Sequence, residues 1–131
     1  MNARRFDITA EEIGVVVARF YADIRRHPVL GPVFARHVTD WSEHESRIMS
    51  FWRNAILREQ GYDGNPMFVH KEAGDIRAEM FPIWLDLFDK VLAANLTIDQ
   101  ARNWSALAHR IGKGLSYGLA QAGDPPNLRR G

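Results

Sequence analysis

The chain has 131 residues, 46% of them hydrophobic, and carries 17 Lys plus Arg against 16 Asp plus Glu. That length suits one domain, residues 1–131, with one core and little apolar material to spare for a second. A formal net charge of +1 argues against nucleic acid as a partner. The absence of cysteine excludes disulfides and thiolate ligands or nucleophiles.

In chain order, Met1 to Asp7 is polar and has no apolar stretch of the kind a secretory leader carries. No window is apolar for long enough to span a bilayer, so the expectation is a cytoplasmic protein without a membrane partner. Thr9-Ala10-Glu11-Glu12 reads as a capping box, flanked at staple spacing by Ile8 and Ile13. The helix it opens carries Ile13, Val16, Val17, Phe20, Tyr21 and Ile24 at intervals of three and four. It should stop near His27, because Pro28 disfavours helical geometry in the residue before it. Leu30-Gly31-Pro32-Val33-Phe34 holds two breakers among large apolar groups, which leaves room for a turn or a short helix facing inward.

A second long helix is expected to start between Thr39 and Ser42, either of which can cap it. Its inner face runs through Trp41, His44, Ile48, Phe51, Trp52, Ala55 and Ile56, and Gly61 is expected to end it. Periodicity then weakens as far as Gly74. Tyr62-Asp63-Gly64-Asn65-Pro66 reads as a turn, and one short helical turn can follow over Met67 to His70. The third long helix is expected over about Ile76 to Ala94 and is apolar around much of its circumference, with Pro82 kinking it or marking its true start. The fourth opens at Thr97, where Gln100 completes another capping box, and closes at Gly123 and Pro125-Pro126. Gly112, Gly114 and Gly118 weaken it unless close packing needs them. Nothing reads as a pair of strands, and the fold class is all-α.

The five histidines, at 27, 37, 44, 70 and 109, show no His-x-x-x-His pair of a structural zinc site. The late glycines follow no strand and make no dinucleotide loop. Ser105 and Ser116 lack the context of a nucleophile, and Asp86 with Asp89 reads as a polar face. By position alone, His44 is a satisfied core histidine and His70 a loop histidine facing water. His27 and His37 read as connector residues, and His109 stays open. Tyr21 and Trp84 are amphipathic aromatics on apolar faces, ordinarily core residues whose polar tips find a partner. Tyr21, His44 and Trp84 nevertheless bring three hydrogen-bond donors from three helices into one small core. That convergence points to a polar ligand in a mostly apolar pocket.

Over nearly its whole length the chain also resembles the group III truncated haemoglobins. The resemblance rests on Phe20-Tyr21, on Leu30 to Phe34, on Trp41-Ser42-Glu43-His44 with Phe51-Trp52 two turns later, on Tyr62 to His70, and on Phe81 to Phe88. The run Tyr-x-Gly-x-Pro-x-x-x-His followed by a Trp-x-x-x-Phe helix is its most specific part. Lys71 to Asp75, with no proline, and Pro82 depart from the usual pattern.

The resemblance implies a globin-like two-over-two helical sandwich with short connecting helices. It implies haem b, with His70 as the proximal iron ligand. Tyr21, His44 and Trp84 then form a polar distal set. Phe34, Ile48, Phe51, Trp52, Val69, Phe81 and Ile111 become apolar haem contacts, Arg47 is placed to reach a propionate, and Tyr62 stands near the haem edge. The implied ligands are O2, CO and NO. Nitric oxide or peroxide chemistry stays open and needs an external reductase, and the expected state is a monomer or weak dimer. The alternative, from a different class, is a haem-free helical interaction module whose His, Tyr and Trp are core residues.

Overall fold

The computed structural model describes residues 4–59 and 78–122. Among them lie five α-helices: α1 (Ala10–Arg26), α2 (Leu30–His37), α3 (Trp41–Trp52), α4 (Met80–Asn95) and α5 (Ile98–Ala122). A single π-helical turn, Arg53–Leu57, continues α3. Helix α1 packs on α2, α3 and α4, and α4 packs on α5. The pairs α1/α3 and α4/α5 make the two layers of a two-over-two sandwich, so the expected all-α architecture is the observed one.

The start of α1 follows its sequence. Thr9 Oγ1 accepts from the Glu12 amide at 3.1 Å, and the Thr9 amide donates to Glu12 Oε1 at 2.9 Å. The six apolar residues at helical spacing, Ile13 to Ile24, are all buried. His27 ends the helix in extended geometry before Pro28. Its Nδ1 accepts the amides of Val29 and Leu30 at 3.1 and 3.2 Å and so satisfies two donors at the start of α2. Within α2, Leu30, Gly31 and Val33 are buried. A Cβ at Gly31 would stand 3.0 Å from the Arg25 carbonyl oxygen, so α2 crosses the end of α1 only because this residue has none.

Three boundaries differ from expectation. Helix α3 is capped by Asp40, whose Oδ1 accepts from the Glu43 amide at 3.1 Å; neither Thr39 nor Ser42 has that role. The helix path ends before Gly61, at Arg58, which adopts φ 65°. That left-handed residue stops the π turn, an ending usually given to glycine. Arg5 then closes the open end, its amide donating to the Ile56 carbonyl and its Nε to the Ala55 carbonyl, both at 2.8 Å. Helix α4 starts at Met80, not Ile76, which places Pro82 in the first turn, where a missing N–H does little harm.

The core runs along α1, the end of α3, α4 and α5, with Phe20, Phe88 and Trp104 among its largest fully buried side chains. Trp52 stacks on Phe88 with ring centroids 5.7 Å apart and meets Trp104 edge-on at 5.4 Å. Gly112 is a close-approach site, since an added Cβ would lie 3.2 Å from Leu85 Cδ1; Gly114 faces open space. Asp89 ties α4 to α5 by accepting Ser105 Oγ at 2.7 Å and facing His109 Nε2 at 2.8 Å. This accounts for Ser105, Asp89 and His109 as a structural tie. No helix among the described residues is long and apolar enough to cross a membrane.

Candidate functional site

Tyr21 on α1 is 2% exposed. Its ring meets His44 of α3 edge-on at 5.0 Å between centroids and Phe34 of α2 at 5.9 Å. Phe34 also faces His44 at 6.1 Å. Trp41, one turn before His44, lies 6.3 Å from Tyr21 and 6.2 Å from His44. Tyr21 and His44 therefore share one aromatic enclosure built from α1, α2 and α3. Trp84 of α4 reaches it through Phe20, which is edge-on to Tyr21 at 5.4 Å and to Trp84 at 4.9 Å. The indole of Trp84 stacks on Phe88 at 5.0 Å. Three polar-tipped rings from three helices are thus linked by ring contacts, as their positions on the apolar faces implied.

The electrostatics of the enclosure favour neutral groups. Burial pushes the Tyr21 phenol far above its ordinary value, and the Glu45 carboxylate pushes in the same direction. Tyr21 accordingly keeps its O–H at any physiological pH. Burial, with a smaller contribution from the Arg47 guanidinium, holds the His44 imidazole below its ordinary value. A neutral imidazole has one N–H and one lone pair to satisfy. His44 Nε2 is buried and has no hydrogen-bond partner among the described residues. A buried polar atom without a partner costs free energy in the folded state. Trp104 Nε1 is a second orphan, enclosed in the core by Trp52 and Phe88.

No family model matches the chain. It is 34% identical over 89 residues to a group 3 truncated haemoglobin of Campylobacter jejuni subsp. jejuni, an overlap spanning 65% of this chain and 70% of that relative. The crystal structure of a group III truncated haemoglobin from Campylobacter jejuni superposes with a TM-score of 0.84 at 28% identity, covering 93% of this chain and 99% of that one. The chain belongs to the group III truncated haemoglobins.

In this truncated haemoglobin the other anticipated site residues fall into distinct settings. Phe34, Ile48, Phe51 and Ile111 are half-buried apolar groups packed against the core, and Phe81 is 9% exposed. Ile48 follows His44 by four residues and so shares its helix face. Trp52 is 4% exposed and sits inside the aromatic core, edge-on to Phe51 at 5.0 Å. Arg47 is exposed and pairs with Glu43 at 3.3 Å. Tyr62, Val69 and His70 lie outside the described residues. Among the described residues, no group of three or more His, Cys, Asp or Glu is arranged to hold a metal ion.

Sequence reasoning places Trp41 on the inner face of α3 and Phe20 on the buried stripe of α1, both within the runs that carry the resemblance, but gives neither a site role. The structure sets Trp41 beside Tyr21 and His44 and Phe20 between Tyr21 and Trp84.

Proposed function

We propose that this truncated haemoglobin binds haem b and holds O2, CO or NO against a polar distal set of Tyr21, His44 and Trp84. The observation that carries the reading is the unpartnered, buried Nε2 of His44 beside the permanently protonated Tyr21, inside an otherwise aromatic enclosure. Those residues suit the group: a porphyrin needs apolar walls, and a diatomic ligand needs a few aimed polar atoms. Phe34, Ile48, Phe51, Phe81 and Ile111 supply the walls.

In this reading His70 would hold the iron through a neutral imidazole nitrogen. Arg47 turns to a propionate, giving up an exposed pair with Glu43 that contributes at most about 1 kcal/mol. Bound haem supplies ferrous iron with one coordination position for a diatomic ligand. Tyr21 and Trp84 offer an O–H and an N–H, and His44 offers whichever hydrogen its tautomer leaves at Nε2. The aromatic walls exclude water, and each hydrogen bond toward partial negative charge on the ligand is then worth about 1.5 to 3 kcal/mol. Such a pocket favours slow ligand release over bulk delivery. Nitric oxide or peroxide turnover at the same site draws electrons from a separate reductase. In this reading residues 1–131 form one truncated-globin domain, a monomer or weak dimer of the cytoplasm.

The test is the absorption spectrum of the purified protein with haem, after reduction and with carbon monoxide, in the native chain and in His70→Gly. A strong Soret band that shifts with carbon monoxide, and is lost in His70→Gly unless imidazole is added, supports the reading. A folded, colourless protein that takes up no haem refutes it and leaves the helical interaction module.

A further inference from the structure

The inward pose of His44 has little of its own to sustain it. Nε2 is buried without a partner, while the residue is only half-buried. A small rotation toward solvent would hydrate the ring and remove the desolvation that holds it neutral. The ring stays against Tyr21 through edge contacts alone, with Phe34 and Trp41 on its flanks.

Besides core packing, that segment of α3 is contacted by a side chain from α1. The Arg25 guanidinium lies over the Trp41 ring at 4.5 Å. The same group reaches Glu45, with Nη2 to Oε2 at 3.0 Å, and the Glu45 side chain is 20% exposed. Trp41 and Glu45 are four residues apart on one face of α3. Arg25 therefore grips α3 one turn before His44 and again one residue after it. The guanidinium makes both contacts at once, lying over the indole and pairing with the carboxylate, and its several N–H groups and broad plane suit that double role better than a compact ammonium does. At the far end of the same helix pair a Cβ at Gly14 would meet Met49 Sδ at 3.4 Å, an ordinary van der Waals contact, so no special close approach holds the helices there.

We propose that Arg25 is the positioning residue of this site: lying over Trp41 and paired with Glu45, it fixes the turn of α3 that presents His44 to Tyr21. Its effect on ligand release rests on the haem-ligand reading above; its effect on the His44 pose belongs to the chain itself. Arg25 touches no ligand in this scheme and acts only through Trp41 and Glu45.

The test compares the native protein with Arg25→Ala, Arg25→Lys and Glu45→Gln. Cross-relaxation between the His44 and Tyr21 ring protons is measured by NMR in the haem-free chain and in the carbon monoxide complex, alongside ligand dissociation rates. Arg25→Ala is expected to weaken the His44–Tyr21 cross-peaks several-fold and to speed ligand release by roughly 3- to 10-fold. Arg25→Lys, which keeps the charge but loses the planar guanidinium, is expected to resemble Arg25→Ala, and Glu45→Gln to fall between the native protein and Arg25→Ala. If Arg25→Ala does not fold, the Arg25→Lys and Glu45→Gln cross-peaks decide the matter. Unchanged cross-peaks in the folded variants overturn the proposal, whatever the haem does. Cross-peaks that weaken in a chain refusing haem uphold the positioning role and reject the ligand-binding reading instead.

Discussion

Replacing His44 with Leu separates a residue kept for the fold from one kept for a ligand. The change removes a buried nitrogen with no partner, whose desolvation costs about 1 to 3 kcal/mol in the folded state. It also removes the edge contact with Tyr21 at 5.0 Å, worth about 0.5 to 1.5 kcal/mol. Leu is the better helix former by a few tenths of a kcal/mol. The balance favours the variant by about 1 kcal/mol, or roughly 3 °C in Tm for a chain of this size. Ligand retention should move the other way. Losing one polar contact of about 1.5 to 3 kcal/mol speeds O2 release by about 10- to 150-fold. Urea unfolding of the haem-free protein gives the first quantity, and stopped-flow replacement of O2 by carbon monoxide gives the second. A variant destabilised by more than about 1 kcal/mol would show that His44 Nε2 finds a partner in the native fold. Unchanged O2 release would remove His44 from the ligand set.

The same histidine carries a pH dependence. Because burial lowers its folded value below the ordinary one, the unfolded chain binds more protons between the two, so this contribution to stability is complete above about pH 6.5 and is lost as pH falls through the folded value. Urea titrations at pH 7.5 and 5.5 should therefore show a steeper acid loss in the native chain than in His44→Leu; equal losses would contradict the assignment. Gln100 joins two caps: its amide donates to Thr97 Oγ1 at 3.2 Å, and its side chain donates to Glu12 Oε1 at 3.1 Å. A double-mutant cycle of Thr9→Ala with Gln100→Ala should give a coupling of about 0.5 kcal/mol or more, and strict additivity would show that the link between the caps contributes nothing. Gly114→Ala should stabilise by about 0.5 to 1 kcal/mol, since nothing lies within 4 Å of the new methyl. Gly112→Ala should gain less or lose, because Leu85 must move; thermal melts rank the pair. Trp84→Phe should speed O2 release several-fold with little change in Tm, and unchanged kinetics would take Trp84 out of the distal set.

The sequence makes the elements legible where local chemistry decides them. Thr9 with Glu12 and Thr97 with Gln100 form the capping boxes that their spacing announces. The buried stripe of α1 is the periodic set read along the chain. Pro28 and Pro82 mark the end of one helix and the first turn of another. Misreadings occur where several residues compete for one role. Thr39, Asp40 and Ser42 can all cap α3, and the cap falls to Asp40 because Glu43 presents its amide there. The end of the α3 path is set by Arg58 adopting a left-handed conformation that a glycine would hold more easily, so it falls before Gly61. At the site, Tyr21, His44 and Trp84 were visible as polar tips on apolar faces. The role proposed for Arg25 was not, because it depends on contacts between α1 and α3 that no local pattern encodes.

The positions of the three polar rings imply how folding and ligand retention are coupled. Tyr21 belongs to α1, His44 to α3 and Trp84 to α4, and only packing across the two layers brings them together. Phe20 is the joint, edge-on to Tyr21, Trp84 and Phe88 at once and 1% exposed. A cavity at Phe20 would cost about 3 to 5 kcal/mol and would also free Trp84 from Tyr21. The converse follows by linkage: a ligand gripped by all three rings favours the packed arrangement over every state in which α4 has parted from α1, by RT ln(1 + [L]/Kd). On the proposed haem-ligand reading, stability in the α1–α4 layer contact and slow ligand release would be one property seen from two sides, and the buried His44 Nε2, unpartnered among the described residues, would weaken the free fold and gain its return only with a ligand.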